Sequence, residues 1–231
     1  MTDSPRQSYE IKNVVVLACC QALFFSGRTL TFFAASLVAI DMLGENLTYA
    51  TVPISMMLIG TSVGTLPASF LMRAWGRKWG FAFGSFVGAL GALLAAQAVA
   101  MDHYLLFNIG ILISGIYGGF AQQYRFAAAE IAPKHLKEKT VSIVMAMRVI
   151  GAFVGPETAL MAKHWITDVP FEGTFWVLAA FNLLSGLIVL NVNIPKLKKQ
   201  DVTDTGRPLA AIMASPTFIV ALIAALFGYV V

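Results

Sequence analysis

Arg28, Arg148 and Glu157 are ionisable side chains that stand well inside apolar runs, where no water is at hand to solvate them. A charge in hydrocarbon costs roughly 3 kcal/mol or more, so each is expected to face a partner, a wet cavity or a ligand. Arg28 falls near the middle of the first apolar run. Its rigid fork of N–H donors there suits an anionic group on a solute, a carboxylate partner or a backbone carbonyl. Arg148 lies three residues before Gly151 and shares a helical face with Gly151, Gly155 and Ala159. That face is expected at a seam between bundles or beside a cavity. Glu157 follows Arg148 by nine residues, half a turn out of phase, so the two cannot pair within one helix. It reads as a protonatable gate or as the partner of a basic group elsewhere.

Gln122, Gln123 and Tyr124 add hydrogen-bonding groups near the end of the fourth run, for a solute or for one another. Asn108 and Asn182 read as polar links between helices. All of these are groups that bind rather than react. No His/Asp/Glu constellation and no nucleophile motif is present in the sequence. The adjacent Cys19 and Cys20 have neither the spacing of a metal site nor the reach of a staple. Catalysis, a metal and a cofactor are therefore not expected.

The elements that must position these groups are membrane helices. The 231 residues are 58% hydrophobic and 12% charged, about half the charge of an ordinary soluble domain. Mean hydropathy is +0.76. Seven apolar runs can be drawn, at 13–40, 50–72, 81–100, 104–129, 141–164, 174–190 and 209–231, each near the ~20 residues that span a bilayer. The polar residues 1–12 precede them without a signal-peptide pattern, and 191–208 is a charged linker. The net charge of +4 comes from short loops rather than a groove-filling patch, so nucleic acid is not the expected partner. Thirteen of the sixteen Lys and Arg fall at the N-terminus and in the loops after runs two, four and six. By the positive-inside rule those loops and the N-terminus are expected on the cytoplasmic side.

The second and fifth runs echo each other. At an offset of 91 residues, Met56, Ile59, Gly60, Val63 and Gly64 match Met147, Ile150, Gly151, Val154 and Gly155, and Ala68 then meets Ala159. Such an echo is expected of two three-helix units of opposite orientation. Gly84/Gly88 and Gly115/Gly119 repeat the same small-residue spacing and predict close helix seams.

Three stretches carry a resemblance to the major facilitator superfamily. Ser69-Phe70-Leu71-Met72-Arg73-Ala74-Trp75-Gly76-Arg77-Lys78 resembles its cytoplasmic loop motif, G-x-L-a-D-r-x-G-R-K/R. Gly76, Arg77 and Lys78 are intact, whereas Ser69 replaces the glycine and Arg73 replaces the acid of the family's charge-relay network. Gly151-Ala152-Phe153-Val154-Gly155-Pro156 resembles the G-x-x-x-G-P core of the family's antiporter motif, with the trailing glycine pair replaced by Ala159 and Leu160. Arg125-Phe126-Ala127-Ala128-Ala129-Glu130 and Pro133 resemble the approach to its fourth loop. The position of the fourth-helix arginine that proton-coupled members often carry holds Ile111.

The resemblance implies an all-α membrane protein: a six-helix N-terminal bundle of 3+3 inverted repeats over 13–190, the linker 191–208, and at 209–231 the first helix of an incomplete second bundle. A whole chain of this kind has about twelve helices. It implies a secondary active transporter moving a small solute by alternating access, with antiport as one mode, in a bacterial inner (plasma) membrane. Its partners would be the solute, the lipid bilayer and the C-terminal half. Arg28, Gln122, Tyr124, Arg148 and Glu157 would contact the solute. Gly76, Arg77, Lys78, Arg125, Glu130, Gly151, Gly155 and Pro156 would serve the conformational change. The competing class is a membrane assembly protein on the same scaffold, which the missing acid and the early end both favour. A seven-helix retinal protein is excluded by the lack of lysine in 209–231.

Overall fold

The computed structural model describes residues 5–44, 47–133, 136–166 and 169–192, together with 215, 216 and 220; side chains are described from residue 11. The linker and the seventh run therefore lie almost wholly outside the described residues. The described helices belong to the compact unit Met1–Lys196. Its helices are α1 (Pro5–Leu43), α2 (Val52–Trp75), α3 (Arg77–Ala100), α4 (Tyr104–Ala121), α5 (Tyr124–Ile131), α6 (Lys137–Met161) and α7 (Glu172–Val189). Among the described residues these make six spans long and apolar enough to cross a membrane, α4 and α5 together forming the fourth.

The expected runs match these spans with three differences. α1 and α6 extend further at the polar end, to Pro5 and Lys137. α3 starts at Arg77, directly after Gly76, because Gly76 alone makes the turn, with φ at +90° and ψ at 159°. That conformation is open to glycine and not to residues with a Cβ. The fourth run is not one helix. Gln122 N still donates to Gly118 O, but Gln123 N tightens onto Phe120 O, three residues back, and α5 restarts at Tyr124.

Glycines decide how the helices meet. A methyl group on Gly64 of α2 would stand 3.0 Å from Ile116 Cα of α4, and one on Gly115 would meet Met57 Cα at the same distance. The second pair does the same elsewhere. A methyl group on Gly151 of α6 would stand 2.8 Å from Ser26 N of α1, and one on Gly155 would reach Leu30 N at 2.8 Å. Van der Waals contact and hydrogen bonds hold helices together in lipid, and only small residues allow backbones this close. Threonines reinforce both seams: Thr61 Oγ1 donates to Gly115 O at 3.1 Å, and Thr29 Oγ1 donates to Gly151 O at 2.8 Å. Thus the second span packs on the fourth, and the fifth packs on the first. That is the pairing which the exchange of two three-helix units requires, so the echo at offset 91 has a structural counterpart. Both spans contain a proline, Pro67 in α2 and Pro156 in α6, and both helices run unbroken through it.

The second and fifth spans share one more property. Only 28% and 22% of their apolar windows are buried, against at least 50% in the other four. The interior divides into two clusters. One, at the Gly76 end, gathers Leu17, Phe81, Phe120, Tyr124 and Val189. The other, at the His103 end, gathers Leu30, Val38, Phe107, Ile111 and Phe175.

Candidate functional site

Between the two clusters α1, α2, α4 and α7 leave a cavity of about 20 Å³, lined by Phe24, Arg28, Thr61, Tyr117, Leu178 and Asn182 among others. This is room for about one water molecule. It is a notch in a wall rather than an enclosed pocket for a solute. Gly27, Gly115 and Gly118 form part of the lining, so backbone comes close to the space. Arg28 reaches it from α1, half-buried, with its guanidinium 5.6 Å from the centre of the Phe32 ring. Phe24 meets Tyr117 edge to face at 5.2 Å on the same wall.

Asn182 of α7, expected only as a helix link, lies in this lining, and its buried Nδ2 has no hydrogen-bond partner among the described residues. An unsatisfied buried donor costs about 1–3 kcal/mol, so a group that could accept from it would be stabilised there. Nothing in the local sequence sets Asn182 apart from Asn108, which donates through Nδ2 to Tyr104 O at 2.9 Å, has an orphaned buried Oδ1 of its own among the described residues and lies outside the cavity lining. The distinction is one of position, since only Asn182 lines the cavity.

The remaining expected contacts go elsewhere. Tyr124 is fully buried in the Gly76-end cluster, stacked on Phe81 at 4.3 Å. Its hydroxyl is 2.9 Å from that of Tyr117 and 3.3 Å from Ser185 Oγ, while Tyr117 and Ser185 are 2.7 Å apart. Three hydroxyls satisfy one another there, and Tyr124 is a packing residue absent from the cavity lining. Gln122 is exposed at the α4–α5 break, and Gln123 Nε2 donates to Ser69 Oγ at 3.4 Å. Arg148 is half-buried beside α1, over the Phe25 ring at 5.7 Å, and is not part of the cavity lining either. Arg125 and Arg148 each have a buried Nε without a hydrogen-bond partner among the described residues. Glu157 is exposed on α6 and in no ion pair among the described residues.

At the Gly76 end the structure joins two residues that the sequence left separate. Arg77 Nε donates to Glu130 Oε2 at 2.7 Å, and its Nη2 to Oε1, a two-pronged pair tying the start of α3 to the end of α5. Gly76 supplies the turn that aims Arg77. Arg73, standing where the resembling motif has an acid, is exposed, and Lys78 is half-buried.

Comparison with known proteins agrees with this architecture. The riboflavin transporter RfnT of Brucella anthropi is 34% identical over 220 residues, covering 94% of this chain and 55% of that protein. The uncharacterized MFS-type transporter YdeG of Bacillus subtilis is 25% identical over 77% of this chain and 42% of its own length. The chain thus spans about half the length of the curated relatives it matches. Among solved structures, the fucose:proton symporter FucP of E. coli superposes with a TM-score of 0.66 at 17% identity, over 89% of this chain and 55% of FucP. That likeness is one of fold. The family model described as the Major Facilitator Superfamily matches residues 17–231. With that match, six membrane-length helices and the shared fold, the chain belongs to the Major Facilitator Superfamily.

Proposed function

We propose that these residues form the N-terminal half of a secondary transporter that moves a flavin-like solute by alternating access, with the Arg28–Asn182 notch as this half's share of the binding site. The observation that carries the reading is the 34% identity to a riboflavin transporter over 94% of the chain. The chemistry of the notch supports it. A flavin is a flat heteroaromatic ring edged with carbonyl acceptors. Arg28 and the unsatisfied Asn182 amide offer donors, and Phe24, Phe32 and Tyr117 offer faces and edges for stacking. A notch of about 20 Å³ needs a second wall, which a C-terminal half joined through residues 191–208 would supply. The under-buried faces of α2 and α6 suit the sliding surface between two such halves.

The lysine- and arginine-rich Gly76 end would face the cytoplasm of a bacterial inner membrane, with the N-terminus on that side. The Gly151–Pro156 run favours exchange as the mode of transport. Arg148 and Glu157 are then groups for gating or for the second half, and Gln122 is a group at the mouth.

The full-length protein, expressed in a riboflavin auxotroph without its own uptake system, tests this reading. Growth on low micromolar riboflavin is expected, together with faster labelled uptake in cells preloaded with flavin. An auxotroph that still needs the high supplement would overturn the flavin assignment.

A further inference from the structure

The Gly76 turn divides the basic residues around it. Arg77 heads the α3 row that continues with Phe81 and Gly84; Phe81 is fully buried, so this row faces inward, and Arg77 closes on Glu130. Lys78 heads the next row, Ala82 and Phe86, which runs from half-buried at Lys78 and Ala82 to exposed at Phe86. Lys78 and Arg73 are in no ion pair among the described residues. α2 and α3 enclose an open groove of about 630 Å³ lined by Ala74, Trp75, Trp79, Ala82, Phe83 and Phe86, in which Ala74 and Trp79 are the chain neighbours of Arg73 and Lys78. The four aromatic side chains are 41–59% exposed, and Trp75 meets Phe83 edge to face at 5.9 Å. Neither indole N–H has a protein acceptor among the described residues. No residue from Ser69 to Phe86 is acidic.

We propose that this groove binds an anionic phospholipid. Arg73 and Lys78 hold the phosphate and the headgroup's negative charge, and the indole N–H groups add hydrogen bonds. One acyl chain lies over Phe83 and Phe86. The groove lies at the end of a membrane span, where tryptophan sits at headgroup depth and where basic side chains recruit anionic lipid. Every phospholipid has a phosphate. Selection comes from the two unpaired cations, while the acid at this end, Glu130, is already held by Arg77 and so is not free for a choline or ethanolamine group. The site does not depend on which solute the protein carries.

Tryptophan quenching tests it directly. The full-length protein is reconstituted in phosphatidylcholine vesicles containing a minor fraction of dibrominated phosphatidylglycerol, or the same fraction of dibrominated phosphatidylcholine. The emission that disappears in Trp75→Phe/Trp79→Phe is the groove's signal. That signal is expected to be quenched far more by the brominated anionic lipid. The preference should fall on the order of five-fold for each basic residue removed in Arg73→Gln and Lys78→Gln. Arg73→Lys, which retains the charge, is expected to keep most of the preference and guards against loss through misfolding. Equal quenching by the two lipids, or a preference that survives Arg73→Gln/Lys78→Gln, would overturn the site.

Discussion

Arg77 and Glu130, 53 residues apart, meet through two parallel hydrogen bonds at the Gly76 end and tie α3 to α5 across it. With side chains 15% and 32% exposed, the pair is partly screened, and its bidentate geometry raises it above an ordinary surface ion pair. A double-mutant cycle with Arg77→Gln and Glu130→Gln is expected to give a coupling of about 1 kcal/mol by thermal unfolding in detergent, smaller at high salt. A coupling of zero would mean that the pair adds nothing to stability.

Two glycines are required for different reasons. Gly76 has open space around it and a conformation that L residues avoid, whereas Gly155 sits within a helix and has no space. Gly76→Ala should therefore cost about 1–3 kcal/mol through backbone strain, with Gly76→Asn no better, since φ +90° with ψ 159° is not the left-handed helical region that asparagine tolerates. Gly155→Ala should separate α6 from α1 at a cost of about 1–3 kcal/mol, with a larger loss for Gly155→Leu. Melting temperatures of the purified variants check both; a rescue of Gly76 by asparagine would contradict the first.

The Tyr117–Tyr124–Ser185 hydroxyls form a closed, buried triad. Tyr124→Phe should lower stability by about 1 kcal/mol, and Ser185→Ala in the Tyr124→Phe background should cost less than it does alone. Riboflavin KM should not move in Tyr124→Phe. A raised KM with unchanged melting would return Tyr124 to the solute.

What could be read from the sequence follows from what local patterns record. Apolar run length gave the spans, and the glycine pairs at offset 91 anticipated close seams, because a small residue in a helix matters through the close approach it allows; that α2 meets α4 and α6 meets α1 is read from the structure. Periodicity could not separate Tyr124, turned into the core, from residues facing a cavity. It also could not reveal the α4–α5 break, since Gln122 and Gln123 are ordinary helix formers and the tightening depends on the contacts around them. Arg77 and Glu130 were both visible within motifs, but their meeting is a long-range fact. Asn182 was passed over for the same reason: a buried amide is a link or a binding group according to what lies opposite it.

The measurement that bears most directly on the binding wall is the affinity of the purified full-length protein for riboflavin, titrated by quenching of flavin fluorescence, with Arg28→Ala set beside the wild type. Loss of a guanidinium that holds a solute acceptor is expected to weaken binding about ten-fold or more, with folding and insertion intact. Tyr124→Phe should bind as the wild type does. An Arg28→Ala protein with unchanged affinity would contradict the assignment of the notch as the site.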